Sequence, residues 1–102
     1  MQAITRTGLN SSGTTTDLAR DLGDDIESAT LGTDVEGFDH HYWRGADCVV
    51  VYDDQGVDHI EYLGGRVLDD WLAYVAHERG WDTIGQVAGL LVEADRRRKE
   101  GI

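Results

Sequence analysis

Proline is absent, cysteine and lysine each occur once, and no apolar run approaches the length of a membrane span. Each shortage excludes something. Without proline, turns must be made by Gly, Asp and Asn. A lone Cys48 forms no disulfide within the chain and builds no cysteine-only zinc site. Without about eighteen consecutive apolar residues there is no transmembrane helix. The opening "MQAITRTGLNSSGTTT" lacks the basic start and apolar middle of a secretory signal, so a cytoplasmic location and no membrane partner are expected.

What is present is acid. The 102 residues carry 20 Asp and Glu against 9 Lys and Arg, a formal net charge of -11. The acids are mostly the shorter Asp, and Lys99 is the only lysine. Few lysines, many short carboxylates and modest apolar bulk resemble the proteins of salt-accumulating halophilic archaea. In molar salt the Debye length falls to about 3 Å, so carboxylate repulsion is screened while the hydrated acids keep the chain dissolved. The acidity is then a solvent adaptation and says little about partners. The pairs Asp24–Asp25, Asp53–Asp54 and Asp69–Asp70 read as solvated faces or turns.

The length suits one domain. Residues 1–14 are expected to form a polar arm, and residues 15–102 a single α+β domain: an N-terminal helix, a three-stranded antiparallel meander, and two C-terminal helices packed on one sheet face. Leu18, Leu22, Ile26 and Ala29 predict a first helix over about Thr16 to Ala29, with Gly23 as a cost of about 1 kcal/mol inside it. "VLDDWLAYVAHERG" predicts a helix stopped by Gly80. The last helix is expected to start near the N-cap Asp82 and run to "RRRK". Gly85 and Gly89, one turn apart, suggest close approach of a neighbouring helix.

Between the helices, "FDHHYW", "DCVVVY" and "VDHIEYL" are β-rich runs separated by turn signals. "RGAD" fits a two-residue turn with Gly45 first, and "DDQG" a three-residue loop closed by Gly56. The register then places Trp43 opposite Cys48, His41 opposite Val50, Cys48 opposite Tyr62, Val50 opposite Ile60, and Tyr52 opposite Asp58. One face carries Trp43, His41, Cys48, Val50, Tyr52, Ile60 and Tyr62. It is the more apolar and is expected to meet the helices. The other carries His40, Tyr42, Val49, Val51, His59, Glu61 and Leu63. Of these, His40, Tyr42, Val49, Val51, His59 and Leu63 form a mixed patch expected to bind a partner, either a second copy or another protein.

"DHHYWRGADC" raises the question of a metal or a thiol. Adjacent histidines on a strand point to opposite faces, so His40 and His41 do not ligate one ion. His40 and His59 share a face but stand about 9.5 Å apart across the central strand. Cys48 has no basic cluster or helix start beside it to lower its pKa. No metal, cofactor or catalytic residue is therefore assigned.

The reading favoured from the sequence is a non-catalytic acidic interaction or regulatory module, homodimeric. Two alternatives stand behind it. "TTTDLARDLG" resembles the first helix of a helix-turn-helix, which implies a winged-helix DNA-binding regulator with the "VVVYDDQGVDHI" hairpin as wing and Arg96, Arg97, Arg98 and Lys99 on phosphates. Its recognition helix would be "DDIESATLGTDVEGF", which offers no Arg, Lys, Asn or Gln for base edges. A metal-binding or thiol-dependent enzyme comes third.

Overall fold

Turn chemistry near Asp34 starts the sheet. In the computed structural model, which describes residues 21–101, β1 (Ser28–Asp34) and β2 (Asp39–Trp43) pair antiparallel. The Asp34 carboxylate accepts the amides of Glu36 (2.9 Å) and Phe38 (3.0 Å), and the Asp34 amide donates to the Phe38 carbonyl (2.9 Å). An Asp that closes its own turn in this way needs no proline. β3 (Cys48–Asp53) and β4 (Gly56–Tyr62) continue the meander, and β5 (Trp81–Ile84) returns to pair with β1. The result is a five-stranded antiparallel sheet in the order β4-β3-β2-β1-β5.

The α+β class stands, while the expected three strands become five. Three features differ for physical reasons. Residues 21–24 are helical, but Ser28 and Ala29, expected at the end of that helix, already lie in β1. The earlier part of that helix and the polar arm fall outside the described residues. The segment expected to open the last helix at Asp82 is β5, because Trp, Thr and Ile suit a strand and β1 presents unpaired backbone groups to it. The helix begins instead at Ala88. Gly85 does permit a close approach, but of a strand: a Cβ there would stand 2.3 Å from the Thr30 carbonyl oxygen, and one on Gly89 would meet nothing. The close helix contact is at Gly23, where a Cβ would lie 2.3 Å from the Leu90 carbonyl oxygen.

The register matches expectation at four pairs: Trp43 with Cys48, His41 with Val50, Cys48 with Tyr62, and Val50 with Ile60. It slips by one residue beyond Val51, so Tyr52 faces Val57 and not Asp58. In the 44–47 turn the positive φ belongs to Asp47 (51°), not to Gly45 as a turn opening on glycine would have it.

Two helices cover one face. In α1 (Leu68–Glu78), Leu68, Trp71 and Val75 are buried at helical spacing, and the helix stops at Gly80 (φ 71°), whose amide donates to the Val75 carbonyl. In α2 (Ala88–Glu100), Ala88, Leu91, Ala94 and Asp95 are buried. They meet Leu31, Tyr42, Val49, Val51 and Leu63 in one core. Burying each large apolar side chain contributes about 1.5–3 kcal/mol.

The helices therefore lie on the face expected to be open. His40, Tyr42, Val49, Val51 and Leu63 are all buried, and of the six residues expected on a partner surface only His59 is exposed. Counting apolar side chains chose the wrong face because the polar members of this one have buried partners. His40 Nε2 lies 2.9 Å from Asp34, and the Tyr42 hydroxyl donates to Asp95 at 2.9 Å. A polar group satisfied in this way is no obstacle to burial.

Candidate interaction face

The face turned away from the helices is the apolar one. Three adjacent strands place His41, Val50 and Ile60 in one row, and Trp43, Cys48 and Tyr62 in the next. Rows of this kind repeat at the strand spacing of about 4.8 Å. Trp43 is 48% exposed, Ile60 46% and Tyr62 64%, while Cys48 is buried at the end of its strand. His41 is braced by the Thr30 hydroxyl, 3.1 Å from Nδ1, and by the Trp43 ring at 5.1 Å. Partial burial lowers its pKa and favours the neutral ring. In a chain with 20 acidic residues, this six-residue block carries no carboxylate.

The buried polar groups behind the sheet bind one another. Asp34 is wholly buried and binds His40 Nε2, Arg79 Nε (2.6 Å) and two backbone amides. Burial pushes its carboxyl up, but His40, the Phe38 amide, Arg79 and the Glu36 amide together bring it down to about 2. Burial lowers the His40 pKa despite Asp34. The charge balance agrees: Arg79 already compensates Asp34, so an imidazolium would add a buried positive charge. A neutral ring donating from Nε2 leaves Nδ1 as an acceptor, and Nδ1 has no hydrogen-bond partner among the described residues. Trp81, edge-on (5.0 Å between ring centres), and the tilted Trp71 ring (6.2 Å) pack against the wholly buried imidazole.

Asp95, from α2, is the second buried carboxylate. It accepts from the Tyr42 hydroxyl, from the Leu68 amide at 2.6 Å and from Arg98 at 2.6 Å. Val67, at the N-cap of α1, makes no side-chain cap, so Asp95 supplies one from another helix. Burial, then the Asp95 contact, push the Tyr42 phenol up to about 12. The Cys48 thiol is also pushed up, by burial and then by Asp47, away from the thiolate that nucleophilic chemistry needs. Among the described residues, no three His, Cys, Asp or Glu side chains converge as metal ligands. A shallow cavity of about 230 Å³ beside the β3–β4 turn is lined by Phe38, Asp53, Gln55, Gly56, Val57 and Asp58, with two acids and no base.

The four basic residues assigned to phosphates in the DNA-binding alternative each meet an acid of their own chain. Arg96 pairs with Asp69 and Glu93, Arg97 with Asp24, Arg98 with Asp95, and Lys99 with Asp47. The stretch that alternative needs as a recognition helix contains β1.

Asp34 and Asp95 were not anticipated from the sequence, although each carries a local signal. "TDVEG" is an Asp-to-Gly turn signal, and Asp95 continues the stripe of Ala88 and Leu91. Trp43, Ile60 and Tyr62 stand together in the expected register, but on the face assigned to the core. Among the described residues, no helix is long and apolar enough to cross a membrane. No family model matches the chain, and neither a curated protein nor a solved structure is found to be similar to it.

Proposed function

We propose that the chain is a non-catalytic, acidic interaction or regulatory module of a salt-accumulating organism, and that it binds protein through the open face carrying Trp43, Val50, Ile60 and Tyr62. One observation carries the reading: the block of His41, Trp43, Cys48, Val50, Ile60 and Tyr62 carries no carboxylate in a chain otherwise covered with them, and its Trp43, Ile60 and Tyr62 are exposed. An exposed apolar patch of this kind marks a partner surface. Its aromatic side chains also provide large contact area at low entropic cost. In molar salt, where charge is screened within about 3 Å, apolar contact remains the available force between acidic surfaces.

A photo-reactive phenylalanine analogue at Trp43, compared with one at the equally exposed Tyr74 on α1, tests this. Crosslinking to protein in a high-salt extract at residue 43 and not at residue 74 is the expected result. Equal capture at both positions, or none at residue 43, would sink the proposal.

A further inference from the structure

Among the described residues β4 is an edge strand of seven residues with neither proline nor lysine, and its irregularity against β3 falls between Val57 and His59, so residues 59–62 run regularly. Its outward groups can be identified. The Leu63 amide donates to the Asp47 carbonyl at 2.8 Å. Antiparallel pairs alternate between bonded and non-bonded, so Glu61 and His59 turn their backbone groups toward β3, and Ile60 and Tyr62 turn theirs outward. The other edge, β5, is four residues long and shifts register against β1.

We infer that the β4 edge joins a second copy of this chain, antiparallel, with Ile60 on the two-fold axis. This rests on the open sheet face being the binding surface, and it names the unit that presents that surface. The register follows from side-chain chemistry. Centred on Ile60, the pairing sets His59 opposite Glu61 of the second copy, twice by symmetry, and Ile60 opposite Ile60. Slipping the axis to residue 59 sets His59 against His59, and slipping it to residue 61 sets Glu61 against Glu61. Of these three, only the Ile60 axis sets an imidazole opposite a carboxylate, and it is also a position whose N–H and C=O both face outward; His59 Nδ1 lies 2.8 Å from Asp58 of its own chain, which leaves Nε2 for the partner. Glu61 is held beside this edge by Arg66, 3.3 Å away. The two sheets become one of ten strands, and the open faces run on as a single apolar platform with Ile60 and Tyr62 at its centre. A closed two-fold pair also removes the exposed edge.

Sedimentation velocity across a protein dilution series, at one fixed moderate KCl concentration, tests the inference. The parent chain is expected to dimerise. His59→Glu places acid opposite acid twice and should weaken the dimer about tenfold. The double variant His59→Glu/Glu61→Lys sets opposite charges across the edge and should recover the parent constant to within about threefold. Ile60→Pro removes an outward donor without touching the β3 ladder and should abolish the dimer. If that variant does not fold, the two charge variants, at the exposed His59 and the half-buried Glu61, carry the test. A monomer at every concentration, or a dimer indifferent to the charge variants, overturns the inference. So does a dimer lost on Trp43→Lys yet kept in Ile60→Pro, since that pattern means stacked faces. A monomer that still crosslinks through residue 43 refutes the dimer and leaves the proposed function standing. A charge-sensitive dimer without such crosslinks supports the edge pairing and refutes the wider reading.

Discussion

Asp95→Asn keeps the shape of a buried side chain and removes its charge. Asp95 receives Tyr42 and Arg98 on one oxygen and the Leu68 amide on the other. Asparagine has one acceptor oxygen, and its NH2 faces donors wherever the other oxygen stood. Either the first amide of α1 or the Tyr42–Arg98 pair then loses its acceptor. An orphaned buried donor costs about 1–3 kcal/mol. Losing the charge beside Arg98 and Lys99 adds to this, discounted because Arg98 is 39% exposed. The expected loss is about 3 kcal/mol, read by urea unfolding in high salt. For a domain of this size that corresponds to roughly 12–20 °C in Tm. An independent readout is the Tyr42 phenol, held at about 12 by burial and then by Asp95. A raised phenol pKa stabilises the fold fully below the unfolded value of about 10, and that contribution disappears as pH rises toward 12. In Asp95→Asn the high-pH tyrosinate transition should move down toward 10. A stability loss under about 1 kcal/mol, with the Tyr42 transition unmoved, refutes the idea that Asp95 ties α1 to the sheet.

Two further outcomes follow from the charges. Thermal unfolding should shift strongly upward between about 0.1 M and about 2 M KCl; an unchanged midpoint removes the argument from composition. Asp34, depressed from 3.8 to about 2 while its carboxylate is paired, stabilises the fold above pH 4. That contribution, on the order of 2 kcal/mol, fades as pH falls from about 4 toward 2. Acid titration of Asp34→Asn should show a flatter loss over that window, and a curve parallel to the parent would mean that Asp34 titrates normally.

Much of the fold was legible where a local pattern had one solution. Alternation and turn residues placed Val50 between His41 and Ile60, and Gly80 ended α1 as its positive φ requires. The choice of buried face was not legible. It depends on Asp34 and Asp95, which reach His40 and Tyr42 from 6 and 53 residues away. Hydropathy treats His40 and Tyr42 as reasons to stay wet, and only their partners make them core residues. β5 was hidden for a related reason: Asp82 is a good helix cap in isolation, and the competing offer comes from the free edge of β1. The candidate surface was found as a set of residues, with its two sides exchanged.

The placement of Asp95 also orders events during synthesis. Tyr42 and the start of α1 leave the ribosome well before the residue that holds them. Until α2 emerges, Leu68 heads a helix without its distant cap and the Tyr42 hydroxyl faces an unfinished interior. β5 likewise reaches β1 only after the whole meander has been made. The nascent meander can pair locally, but α2, which completes its cover, follows every other described element, so the growing chain exposes part of both sheet faces until then. Screening salt does nothing to hide those faces from other nascent chains. The chain is therefore most prone to aggregate just before α2 clears the exit tunnel.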